Sequence, residues 1–274
     1  SAVGTVVVMH LAERFSLPEG YVARPYAGST DHPAMAGLLN EYRLCTGDPE
    51  MVTAAQFDQS YAHLTDCDPE LDIAMVERDD QLVAYCRPTH DEVTEATDLV
   101  VFMPTLPDHF HAALFHALAD GCEQHLRKWI ADRPARYRGY AGHPGPGIVA
   151  VDCEAAWLEA RGYEATEWGA SLRRPHLDDI PDLQLPDGIE VRPVQPEQMR
   201  DIVAAHHECF RGEWGFSEID ESSFSHIIDD PYRDETLWQV AWDGDTIVGQ
   251  VKPFINPDEN AARGYLRGYT EFIS

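Results

Sequence analysis

The chain has 274 residues, 44% of them hydrophobic, enough for one large or two medium domains with real cores. Its 20 Lys and Arg stand against 48 Asp and Glu, and the net charge of −28 repels phosphate backbones, which argues against nucleic acid as a partner. No apolar run reaches the length of a membrane span, so no membrane partner is expected. Six scattered cysteines without a CxxC pair argue against a zinc knuckle and fit reduced thiols in a cytoplasmic protein.

In chain order, TVVVMHLA (5–12) lacks a basic flank and a cleavage site, and reads as a strand or leader rather than a signal peptide. LPEGYVARP (17–25) predicts a first strand. HPAMAGLLNEYRL then sets Met35, Leu38, Leu39 and Tyr42 at i, i+3, i+4, i+7, one apolar stripe of a helix. After a second short helix, ELDIAMVERDDQLVAYCRP (70–88) predicts two strands around a tight acidic turn, and DLVVFMPT (98–105) a further strand. A long helix lies within PDHFHAALFHALADGCEQHLRKWIAD, a strand near RYRGYAG, and a short helix in CEAAWLEARG, stopped by Gly162. Two last strands are expected within YEATEWGASLRRP. HLDDIPDLQ (176–184) reads as a polar linker.

The same plan then starts again. LPDGIEVRP (185–193) echoes LPEGYVARP 168 residues later. PEQMRDIVAAHHECF carries Met199, Ile202, Val203 and Phe210 as its apolar stripe, with Pro196 in the first turn. ETLWQVAWDGDTIVGQVKP (235–253) repeats the hairpin 165 residues after its counterpart, around an Asp243-Gly244 turn. GYTEFIS (268–274) matches DLVVFMPT. Two matches at nearly one offset indicate an internal duplication. The expected domains are residues 1–184 and 185–274, the second an incomplete copy that stops at the strand before the long helix.

This order of strand, two helices, hairpin, strand, long helix, strand, short helix and strand resembles the GNAT N-acyltransferase superfamily. The most specific phrases are VRP or ARP opening each copy, the hairpin ends VAYCRP and VGQVKP, and WLEARGYE (157–164), similar to the family's FLE-x-x-GF. WGF at 214–216 also resembles tandem-domain bacterial members, mycothiol synthase among them. The resemblance implies an α+β fold, a mixed and mostly antiparallel sheet flanked by helices, in two tandem acyl-CoA-binding domains. It implies acetyl-CoA as acyl donor, held by a strand that pairs with the pantetheine arm and by a Q/R-x-x-G-x-G/A loop at a helix N-terminus, where exposed N–H groups and the helix dipole stabilise phosphate.

The first copy departs from that pattern. PTLPDHFHAALFHAL (104–118) holds neither glycine nor arginine, and Pro107 and Phe110 are poor parts for a phosphate cradle. It is therefore expected to be degenerate, with the chemistry in the second copy. Ending before its own loop, the chain is expected to bind acetyl-CoA poorly.

On the second copy's last strand the resemblance implies Glu271 as catalytic base, set against the ordinary reading of a strand glutamate facing solvent or Arg267. Phe272, Ile273 and Ser274 would pair with the pantetheine, or else form an ordinary ladder. Glu213, Trp214 and Phe216 in RGEWGFSEIDESSF would line an amine pocket through ring-face and charge attraction, or else pack under the loop. No metal is expected. His109 and His116, seven apart on one helix face, and the adjacent His206 and His207 lack the i, i+4 spacing of a zinc helix. GHPGPG (142–147) lacks the Lys-Ser/Thr of a nucleotide loop.

The function expected is acetyl transfer from acetyl-CoA to a primary amine of a small molecule or peptide. The alternative is a non-catalytic scaffold or ligand-sensing module of the same fold.

Overall fold

A computed structural model describes residues 9–48, 50–65, 67–93, 96–131, 137–141, 149–165, 172–213, 216, 218–271 and 273–274. The chain divides into two compact units, Ser1–Gly169 and Ala170–Ser274. The expected linker 176–184 falls within the second and is exposed throughout.

In the first unit a 3₁₀ turn, Leu11–Arg14, precedes β1 (Val22–Pro25), α1 (His32–Cys45), α2 (Ala54–Ala62) and the single turn α3 (Pro69–Asp72). The hairpin β2 (Ala74–Arg78) and β3 (Gln81–Val93) leads to β4 (Ala96–Phe102), α4 (Ala112–Ile130), β5 (Tyr137–Ala141) and α5 (Val149–Ala160). The sheet order is β1-β2-β3-β4-β5, antiparallel except for the β4–β5 pair.

Local chemistry explains these boundaries. Thr53 and Gln56 form a reciprocal capping box at the start of α2. Pro107 opens a 3₁₀ turn, Pro107–His109, so α4 begins only at Ala112, with His111 as its N-cap. The predicted shared face of His109 and His116 is thus not formed, because His109 lies outside the helix. The Met35, Leu38, Leu39 and Tyr42 stripe is buried as its spacing predicts, each apolar side chain contributing roughly 1.5–3 kcal/mol. Runs of consecutive buried residues, Ile73 to Val76 and Val83 to Cys86, show that β2 and β3 are covered on both faces. The two last strands expected within YEATEWGASLRRP fall largely outside the described residues.

The second unit repeats the opening: β6 (Ile189–Arg192), a 3₁₀ turn at Pro196–Gln198, α6 (Met199–Cys209), α7 (Glu221–Ile228), β7 (Gln239–Asp243), β8 (Thr246–Phe254), α8 (Pro257–Arg263) and β9 (Tyr269–Glu271). Its sheet is antiparallel throughout, in the order β6-β7-β8-β9. Along β7, buried Val240 and Trp242 alternate with more exposed neighbours, the mark of a strand covered on one face. Phe210 is not the fourth member of the α6 stripe. It lies past the helix end and is exposed, while the i+7 position from Met199 belongs to His206.

The duplication extends to an irregularity. The β2–β3 ladder slips between Val76 and Glu77, and the β7–β8 ladder slips at the matching place, between Ala241 and Trp242. Both hairpins close over two residues, Arg78 pairing Gln81 and Asp243 pairing Thr246. Gly244 sits at φ 58, where Asp79 holds φ 53 in the first copy, a conformation that only glycine adopts without steric cost.

Candidate active site

In VGQVKP, Gln250 and Lys252 are two residues apart, so both emerge on one face of β8. Both are buried, as is the sheet-facing stripe of α6. Gln250 donates from Nε2 to the carbonyl of Ile202 at 3.0 Å. The Lys252 ammonium lies 5.6 Å from the Trp238 ring centroid and is only 3% exposed. Burial pushes its pKa down to about 8. His206 is driven down to about 4, first by burial, then by the Lys252 charge and by His207. A buried amine beside a neutral imidazole is a polar lining that the sequence reading missed. The signal was there: extending the α6 stripe to i+7 puts a histidine on the core face.

The matching positions in the first unit are Tyr85, Arg87 and Tyr42. Arg87 stacks over Tyr61, and Tyr42 donates to the buried Glu154 at 3.1 Å.

Strand β9 differs from β4 in register. Lys252 pairs with Glu271, Pro253 with Thr270 and Phe254 with Tyr269. Gln250 then exchanges both backbone hydrogen bonds with Ser274, at 2.7 and 3.0 Å. Between these pairs, two steps along β8 face three along the other strand, so the ladder takes up one extra residue. In the first unit no such step occurs. The register from Val93–Ala96 to Arg87–Phe102 continues unchanged to the Ala84–Thr105 bridge, where the Tyr85 N–H donates to the Pro104 carbonyl and the Leu106 N–H to the Val83 carbonyl.

Glu271 is thus placed opposite Lys252, on the last described stretch of β9, although its side chain lies outside the described residues, as does Phe272. Ile273 is exposed, and Ser274 faces β8. On the expected acceptor side, Glu213 is exposed and Trp214 lies outside the described residues. Phe216 is buried, its ring 4.7 Å from that of His207 and 5.4 Å from the Arg211 guanidinium.

Helix α8 is an insertion where the first copy has a tight hairpin. Asn256 caps it by accepting from the Glu259 N–H at 2.9 Å, and Gly264 ends it in the left-handed region at φ 68. The fully buried Glu259 accepts hydrogen bonds from Tyr265 at 2.5 Å and Tyr269 at 2.8 Å. Arg267 reaches toward Glu259 at 4.0 Å. Asn260 fixes the following loop by bonding both the N–H and the carbonyl of Arg267. Tyr269 begins β9, so this cluster anchors the strand that carries Glu271.

At the first unit's counterpart of the phosphate loop, the start of α4 is already engaged. The Leu114 N–H donates to His111 Nδ1 at 3.3 Å, and His109 and His111 both meet the Tyr21 hydroxyl, at 3.0 and 3.1 Å. Arg78 donates to that hydroxyl as well. The Phe110 ring lies 5.1 Å from Trp157 of α5, which also meets Phe115 at 5.1 Å. These residues do not fit a pyrophosphate cradle: a side chain caps the helix amide, and rings fill the loop.

Among solved structures, the chain resembles a GCN5-related N-acetyltransferase from Sphaerobacter thermophilus, with a TM-score of 0.58 and 21% identity over 88% of this chain and 74% of that one. It also resembles the GCN5-related glucosamine N-acetyltransferase region of a fungal multi-domain GH3 beta-N-acetylglucosaminidase, with a TM-score of 0.50 and 12% identity over 88% of this chain and 28% of that one. No family model matches the sequence, and no curated protein does. The fold is that of the GNAT acetyltransferases.

Proposed function

We propose that the protein is an acetyl-CoA-dependent N-acetyltransferase whose working site is in the second unit, with the first as a structural copy. The observation that carries this reading is the asymmetry between two otherwise matching ladders. The second takes up an extra residue beside Glu271, whereas the first runs regular and closes its helix start with Phe110, Trp157 and His111. The likeness in fold supplies the reaction class by analogy.

The reaction is direct attack. A primary amine adds to the thioester carbonyl, the C–S bond breaks, and the amine's proton leaves through Glu271, so the acetylated amine and free CoA thiol are the products. Since Ser274 turns both backbone groups to Gln250, the alternation of an extended strand turns those of Ile273 to the opposite edge, where the pantetheine amides would pair. Lys252, the cross-strand partner of Glu271 on β8, is charged at neutral pH and would favour the carboxylate form of that residue. Glu213, with Trp214 and Phe216 beside it, remains the proposed acceptor side, its substrate a small-molecule or peptide amine. The protein works in the cytoplasm and needs no metal.

The test is free-thiol release from acetyl-CoA by the full-length protein with a panel of primary amines. Release above background is expected with at least one acceptor, and Glu271→Gln should lower kcat by ~100-fold while leaving the KM for acetyl-CoA unchanged. Absence of release with every acceptor would move the assignment to a non-catalytic scaffold.

A further inference from the structure

The second unit contains a cleft of about 480 Å³ lined by Val194, Pro196, Met199, Phe224, Ile228 and the Arg233–Glu235 ion pair. It lies at the Met199 end of α6, away from the His206 end that meets Lys252. The duplication shows what occupies the same place in the first unit. Aligning the strand starts sets Tyr26 against Val194, and aligning the helix stripes sets His32 against Pro196 and Met35 against Met199. The N-caps Thr53 and Asp220 set Phe57 against Phe224 and Tyr61 against Ile228.

In the first unit these positions form one ring cluster. Tyr26 stacks on His32 at 5.8 Å and meets Tyr61 at 5.7 Å. His32 lies 5.0 Å from Tyr61 and 5.8 Å from Phe57. The cluster closes with polar bonds, Tyr26 Oη to His32 Nε2 at 2.5 Å and His32 Nδ1 to Asp58 at 2.6 Å. In the second unit three rings are lost at once: tyrosine becomes Val194, histidine becomes Pro196, and tyrosine becomes Ile228. Met199 and Phe224 remain as floor and wall, and Arg233, which also donates to the Ile228 carbonyl, sets a guanidinium–carboxylate pair at the edge.

We propose that this cleft is a binding site for a small aromatic molecule carrying a neutral hydrogen-bonding group, of the phenol class. The lining is apolar with one polar corner, and the volume falls in the range of small-ligand pockets. The ring cluster of the first unit is an internal example of the occupant: phenols and an imidazole packed against the matching phenylalanine, Phe57, with a hydroxyl hydrogen-bonded. The paired charges at the rim favour a neutral hydroxyl over a free anion, because Glu235 already neutralises Arg233. This site is separate from the proposed acetyl-transfer site and stands whether or not that reaction occurs.

The experiment is a fluorine NMR titration of the 274-residue chain with 4-fluorophenol, competed by 4-methylphenol. Saturable binding at about 1 mM or tighter is expected, with displacement by the competitor. The Val194→Tyr/Ile228→Tyr variant restores two of the lost rings and should weaken binding at least tenfold while keeping a cooperative melt. If that variant does not fold, Ile228→Phe provides the same comparison with one ring. Line broadening in the parent chain that never saturates, or unchanged affinity in a folded filled variant, would overturn the proposal.

Discussion

Lys252 and His206 show how much a single position changes between copies of one fold. A lysine held at about pKa 8 is charged at neutral pH against the preference of its surroundings. Its ordinary value is near 10.5, so between pH 8 and 10.5 the unfolded chain binds more protons than the folded one, and stability rises with pH through that window. Lys252→Met should therefore be more stable than the parent near pH 7, by on the order of 2–3 kcal/mol, with the gap shrinking toward pH 10.5. Denaturant unfolding of both proteins at several pH values checks this. A second residue prediction concerns Gly121 of α4. A Cβ there would lie 2.2 Å from Phe15 Cδ1, a half-buried ring that packs on the core. Alanine gains up to ~1 kcal/mol of helix propensity but forces that ring to move, so Gly121→Ala should lower stability by ~1–2 kcal/mol in a thermal or urea melt.

At the scale of elements, the first unit joins the β4–α4 connection to α5 through Phe110, Phe115 and Trp157. Trp157→Ala should cost ~2–3 kcal/mol, less than for a fully buried tryptophan because the side chain is only partly covered, and hydrogen exchange should rise in α5 first. Most elements were legible in the sequence because their signals are local: the stripe of α1, the two-residue hairpin turns, Gly162 after α5. Helix α8 carries equally local signals, with Asn256 as cap, Pro257 in the first turn and Gly264 at the end, but a direct match of GYTEFIS to the first copy's strand leaves no place for it. The extra residue between Glu271 and Ser274 was not legible. Register depends on which carbonyl meets which amide across the ladder, and side-chain pattern fixes only the face. Phe210 departs from its expected stripe for a related reason: it lies past the end of α6, where periodicity no longer describes a face.

For the whole molecule, the duplication was legible from two phrases at one offset, whereas the ring-for-aliphatic exchange that opens the second unit's cleft emerged only when the copies were laid over each other. The net charge of −28 acts on the entire chain. Self-repulsion destabilises the compact state and is screened by salt, so raising sodium chloride from low ionic strength to about 0.15 M should raise the melting temperature by a few degrees. A calorimetric salt series that showed no rise would mean that local ion pairs such as Arg161 with Asp120 and Glu123 outweigh the general repulsion.

The matching slips at Val76–Glu77 and Ala241–Trp242 also order events in time. An irregular step found at the same place in both halves was inherited from a single-copy ancestor, since two independent slips at one position would be a coincidence. Where the halves differ, in the regular β4 ladder against the stepped β9 and in the β3–β4 turn against α8, at least one of the two states arose after the halves separated. The ancestor had the slip already in place. Its descendants drifted apart where the strands end, and a fusion of the shared hairpin core alone is the piece whose folding would show what the ancestor could do.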